Sequence, residues 1–151
     1  MEQSIIAEVD LDSLENQNNI LGNIYFVVDY YRYFPEYGWS DFVIIILSWW
    51  IKSIKGLIVS EVGSSYEFDF MDGSPVVLAK KIDTKNAEML FCSTRSKIEF
   101  RAVCNIVELR ESLLSVSRKV LRTVKRNDWN NDETEQLNDL IISLQHPHYN
   151  I

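Results

Sequence analysis

Three carboxylates, Glu67, Asp69 and Asp72, crowd the segment "YEFDFMDGSP". Carboxylates so spaced could share a proton for general acid–base work or hold a cation. In an extended strand, however, Glu67 and Asp69 project from one face, and Asp72 sits in the turn beyond, where "DG" at 72–73 is a favoured tight-turn pair. No histidine or glycine-rich loop accompanies them. Cys92 and Cys104 match no metal-ligand spacing, and His146 and His148 flank Pro147 in a tail. A Cys/His nucleophile pair is the rival reading, but free cysteines usually behave as small core residues. The sequence holds no P-loop, G-x-G-x-x-G, H-E-x-x-H, C-x-x-C or G-x-S-x-G motif. The chain therefore reads as non-catalytic, with no metal and no cofactor.

Recognition is the chemistry better represented. "YFVVDYYRYFPEYGWSD", residues 25–41, holds five tyrosines, one tryptophan, Asp29, Glu36 and Asp41. Tyrosine and tryptophan offer large amphipathic contact area and are enriched in binding hot spots. A carboxylate among them can accept a bidentate hydrogen bond from a partner arginine. The candidate partner-binding residues are Asp29, Tyr31, Tyr33, Glu36, Tyr37 and Trp39, together with Glu67, Asp69 and Asp72. About half of these rings are expected in the core. If one strand runs through 23–34, Tyr31 and Tyr33 share a face with Asp29, and Tyr30 shares the other with Arg32, so at least one aromatic set is exposed.

The charge distribution agrees with a recognition role. Of the net −7, residues 1–75 carry 12 acidic and 3 basic side chains, while residues 76–151 carry 10 acidic and 12 basic. The resulting −9 on the first half would repel nucleic acid and anionic membranes and attract a basic partner. Plain solubility explains the same charge without any partner. "RKVLRTVKR", residues 118–126, is basic enough for nucleic acid, but in an acidic protein it reads as a solvated helix face.

What elements position these residues? From Phe42 to Ile51 only Ser48 is not apolar. The run closes at Asp41 and Lys52, short of the roughly 20 residues a membrane-spanning helix needs. Ser40 as N-cap, Asp41 in the first turn, Lys52 and Lys55 in the last and Gly56 as a stop predict a helix over 41–55, about 22 Å long. Apolar on every side, it belongs at the centre of the core, with Trp49 and Trp50 facing different layers. Residues 23–34 read as a strand and "PEYG" at 35–38 as a turn. Residues 1–22 read as a loosely packed arm containing a short strand or helix start followed by a polar loop or frayed helix. Residues 66–105 read as a meander of four antiparallel strands. Its last register is open: a four-residue loop at 94–97 puts Cys92 opposite Glu99, and an odd-length loop puts Phe100 and Ala102 beside Leu90 and Cys92. Neither sets Cys92 opposite Cys104, so free thiols are expected. Leu109, Leu113, Val116, Val120 and Val124 recur at helical spacing, and Asp132 reads as the cap of a shorter final helix. The expected fold is a single α+β domain over 1–151, an antiparallel meander of four to five strands against a central apolar helix and two C-terminal helices. The acidic N-terminus lacks the basic start of a signal peptide, so the expected compartment is the cytoplasm.

The "GWSDF…LSWW" helix, the "FMDGSP" hairpin, the terminal helix pair and the small acidic chain resemble immunity proteins of bacterial polymorphic toxin systems, especially contact-dependent growth inhibition. The resemblance covers residues 23–145. It implies a cytoplasmic, non-catalytic protein that binds the C-terminal toxin domain of an effector and blocks its active site. Many such toxins are nucleases with basic, phosphate-binding clefts, which an acidic and aromatic surface would cover. It implies no direct contact with nucleic acid or membrane. The alternative is a small adaptor or homodimeric subunit binding through its aromatic and apolar surface.

Overall fold

The computed structural model describes residues 2–145; His146 and His148 lie outside the described residues. In chain order the elements are β1 (Ile5–Asn16), β2 (Ile20–Val28), β3 (Arg32–Phe34), β4 (Ser40–Phe42), α1 (Val43–Val59), β5 (Ser65–Asp69), β6 (Val76–Lys81), β7 (Asn86–Thr94), β8 (Lys97–Asn105), α2 (Ile106–Arg126) and α3 (Asp132–Gln145). The fold is α+β, with two four-stranded antiparallel sheets. The expected meander is the second sheet, β5-β6-β7-β8; the first sheet runs β1-β2-β3, with β4 also paired to β2.

The first sheet corrects the reading of the N-terminal arm. β1 alternates buried Ile5, Ala7 and Val9 with Ile6, Glu8 and Asp10, the period of a half-buried strand. It pairs with β2 from Ile5↔Val28 to Asp10↔Asn23, and a bulge separates that stretch from Glu15↔Leu21. Residues 10–19 looked like a polar loop because the bulge breaks the alternation. The expected strand over 23–34 is likewise two strands. Asp29 and Tyr30 take positive φ, 52° and 70°, and turn the chain so that Val28 pairs with Arg32.

α1 is the central helix. Its Val43, Ile44, Ile46, Leu47, Trp50, Ile51, Ile54 and Leu57 are buried, and it packs on β2, β5, α2 and α3. Trp50 is fully buried, stacked on Phe26 at 4.4 Å, while Trp49 turns partly to solvent. The helix begins two residues later than expected because Ser40 and Asp41 pair with β2 instead. It also runs through Gly56, whose missing side chain lets Tyr66 of β5 lie against the helix. Its C-terminal carbonyls are met from outside: Lys81 Nζ donates to the Ile58 and Ser60 oxygens at 2.9 and 2.8 Å. No helix among the described residues is long and apolar enough to cross a membrane.

In the second sheet, β7 and β8 close through Thr94↔Lys97 around Arg95 and Ser96. This is the four-residue-loop register, but a bulge sets Cys92 against Ile98 rather than Glu99. Phe100 and Ala102 stand opposite Phe91 and Met89. Cys104 lies opposite Ala87, and both thiols are free and buried. The turn at "DG" is longer than a two-residue one, spanning 70–75 between the strands, with Gly73 at φ 84°. α2 is capped by Asn105 Oδ1, which accepts from Glu108 N. Asn131, not Asp132, caps α3, its Oδ1 accepting from Thr134 N.

Three sheet edges are met in part by side chains or neighbouring backbone. Trp50 Nε1 donates to Asp69 O at 2.8 Å and Ser53 Oγ to Glu67 O at 2.5 Å, so α1 covers the edge of β5. Ala7 N on β1 donates to Ser112 Oγ of α2. Val103 of β8 exchanges two hydrogen bonds with Gln3, through the Gln3 main-chain N–H and its side-chain oxygen.

Candidate functional site

The sequence-nominated residues separate into four settings. Asp29 belongs to the scaffold: its carboxylate accepts from Ser4 N and Gln3 Nε2 and ties the β2–β3 turn to the start of β1. Tyr31 stands at the tip of that turn, 70% exposed. Asp41, though acidic and next to the aromatic stretch, is also internal. It is buried and accepts from Trp39 Nε1 at 2.9 Å, from Phe42 N, and from Met71 N in the β5–β6 loop. Asp41 therefore holds Trp39 and the Asp72 loop in place rather than facing a partner.

Glu67 and Asp69 share the outer face of β5, as alternation with the buried Phe68 requires. They are not free anions. Arg95 grips Glu67 with both guanidinium nitrogens, at 2.7 and 2.8 Å, and lies 3.7 Å from Asp69. The Arg95 hydrogen bonds hold the Glu67 carboxyl below its ordinary range, whereas burial, then the Glu67 charge, pushes Asp69 up. The expected acidic hairpin face is thus largely matched by a cation 28 residues away in the sequence.

On the outer face of the first sheet, Tyr25, Tyr33 and Tyr37 meet as a triad with ring centroids 5.1 to 5.9 Å apart. Tyr25 is the buried floor; Tyr33 is 40% and Tyr37 70% exposed. Glu8 stands directly across from Tyr25, and Asp10 follows on the same face. Burial, then Tyr37, Glu8 and Asp10, pushes the Tyr25 phenol up. Among the described residues, neither Glu8, Asp10 nor Glu36 makes an ion pair. Residues 1–31 contain six carboxylates and no lysine or arginine; Lys119 of α2 lines a groove shared with Glu8. Glu8 and Asp10 were missed in the sequence because the arm was read as loose; their alternation with Ala7 and Val9 was the available signal.

A cleft of ≈ 640 Å³ opens beside the triad, between the two sheets. One wall is Arg32, Tyr33, Phe34, Pro35, Glu36 and Trp39; the other is Lys97, Glu99 and Phe100 of β8; the 72–75 loop and Ser93 complete it. So Tyr33, Glu36, Trp39 and Asp72 are brought together as a site, and β8 supplies residues that the sequence reading did not nominate. The floor is aromatic: Phe100 stacks on Phe91, meets the edge of Phe34, and carries the Arg32 guanidinium 4.4 Å above its ring. Glu99 is taken up by Ser93 at 2.7 Å and Lys97 at 3.8 Å. Glu36 and Asp72 meet no described cation. Among the described residues no group of three or more histidines, cysteines and carboxylates could hold a metal ion. Cys104 is a buried core thiol whose pKa burial pushes up to about 12. No protein-family model, curated protein or solved structure matches the chain.

Proposed function

We propose that this chain is an immunity protein. It binds a basic toxin domain, a nuclease by the resemblance noted above, through the Tyr33–Tyr37 face and its flanking carboxylates Glu8, Asp10 and Glu36. The observation that carries the reading is the exposed Tyr33 and Tyr37 rings over buried Tyr25, flanked by Glu8, Asp10 and Glu36, none of which makes an ion pair among the described residues. Rigid aromatic area with uncompensated charge at its rim is what a steered, high-affinity interface uses. A second feature supports it. Tyr30 and Asp29 occupy the left-handed backbone region, Tyr30 with its ring 76% exposed. Both are central residues of the Val28–Tyr31 turn, where Tyr31 N donates to Val28 O, and a tyrosine stands exposed at a position that asparagine or glycine would fill with less strain.

The reading differs from the adaptor alternative in its response to charge. The chain is co-expressed with the C-terminal domain encoded immediately upstream, and affinity is measured between low and high salt. Glu8→Lys with Asp10→Lys should slow association and flatten the salt dependence, and Tyr37→Ala should speed dissociation. A complex indifferent to salt and to both changes, or a homodimer alone, would favour the adaptor.

A further inference from the structure

The outer backbone edges of β1, β5 and β8 are each met at one or two positions, and that of β3, beside the cleft, at none among the described residues. Along β2, Ile24 N donates to Trp39 O on one side and Asp29 N to Ser4 O on the other. Main-chain groups alternate sides along an antiparallel strand, so Phe26 and Val28 point toward β3. Their partners Phe34 and Arg32 point back. Tyr33, between them, turns its N–H and C=O outward, and no described residue meets either. Tyr33 is also a wall of the cleft. By contrast, α1 covers the edge of β5, and Ser112 and Gln3 engage the edges of β1 and β8.

We propose that the β3 edge accepts an extended segment of the partner toxin domain as an added strand, carrying a basic side chain toward Glu36 and Asp72. This rests on the immunity reading and specifies how the partner is held. An added strand gains its affinity from main-chain hydrogen bonds and its specificity from pockets for alternate side chains. Here the Tyr33 N–H and C=O supply the first. The cleft walls at Tyr33 and Trp39 and the carboxylates Glu36 and Asp72 supply the second. Charge favours a basic occupant: Glu36, Asp72 and Glu99 outnumber Arg32 and Lys97 in the cleft, and Lys97 lies against Glu99. β3 is only three residues long, so the segment pairs over the one outward position, Tyr33.

Tyr33→Ala and Tyr33→Pro separate ring from backbone. Both delete the tyrosine side chain, but only proline deletes the outward N–H, which leaves the β2–β3 ladder intact. Against the co-expressed upstream domain, proline should weaken the complex at least tenfold beyond alanine. Amide exchange at Tyr33 of the parent chain should slow at least tenfold on binding, a readout that survives even if the proline variant fails to fold. If the complex forms but alanine and proline bind alike and the Tyr33 amide is unprotected, strand addition is overturned while the immunity reading stands. If the parent chain forms no complex, that reading fails and this inference falls with it.

Discussion

Gly56 offers a demanding test of the helix-on-sheet packing that frames the site. A Cβ built there would lie 2.4 Å from Tyr66 Cε2 and 2.9 Å from its Cζ, so the whole ring would have to move. Alanine gains about 1 kcal/mol over glycine inside a helix. Overpacking a filled contact costs about 1–3 kcal/mol. Gly56→Ala should therefore range from near neutral to about 2 kcal/mol destabilising, and Tm should fall by about 2–4 °C for each kcal/mol lost. Urea unfolding would show a lower midpoint with an unchanged slope. The informative comparison is the same substitution in a Tyr66→Ala background. With the ring gone, only the propensity gain of about 1 kcal/mol remains, and alanine should stabilise. A glycine that ended the helix in a left-handed conformation would resist alanine in both backgrounds. Destabilisation that persists without Tyr66, or stabilisation in the parent chain, would refute the argument that Gly56 exists for this contact.

Three other outcomes follow from the same packing. Trp50→Phe leaves Asp69 O unpartnered under α1 and should cost about 1–3 kcal/mol for that group alone, read by urea unfolding. Tyr30→Gly relieves a left-handed backbone at an exposed ring and should raise stability by on the order of 1 kcal/mol while leaving the Tyr25–Tyr33–Tyr37 triad in place. The third concerns pH. Glu67 has a depressed carboxyl, so its contribution is present above its unfolded pKa and lost as pH falls through the folded one; Asp69 has a raised carboxyl, so its cost grows as pH rises through its titration. Arg95→Ala should shift both carboxyl titrations upward by NMR and flatten the acid-side loss of stability that Glu67 causes. Unmoved titrations would mean that Arg95 is not their partner in solution.

Local pattern made much of the fold legible. Leu109, Leu113, Val116, Val120 and Val124 recur at helical spacing and all are buried in α2. Tyr66, Phe68 and Phe70 alternate with Glu67 and Asp69, and β5 follows. What the sequence hid depends on contacts between distant residues. Ser40 and Asp41 resemble a helix start until β2 claims them as a strand. Gly56 resembles a stop until Tyr66 explains it. β1 was obscured by a bulge that interrupts its alternation. For the site, the stretch 33–39 and Asp72 were legible as aromatic and acidic residues near turns. Their convergence with Lys97, Glu99 and Phe100 was not, because a cleft between two sheets has no periodicity in either. Glu67 and Asp69 looked like free anions since nothing local announces a partner as far away as Arg95.

The central claim is that this chain neutralises a basic toxin domain. The most direct measurement is co-purification: the chain, alone tagged, is expressed with the C-terminal domain encoded immediately upstream, and the eluate is weighed and assayed for toxicity. The account expects a stoichiometric basic partner, toxic when expressed alone and harmless in the complex. A partner that does not co-elute, with both chains harmless alone, would contradict it.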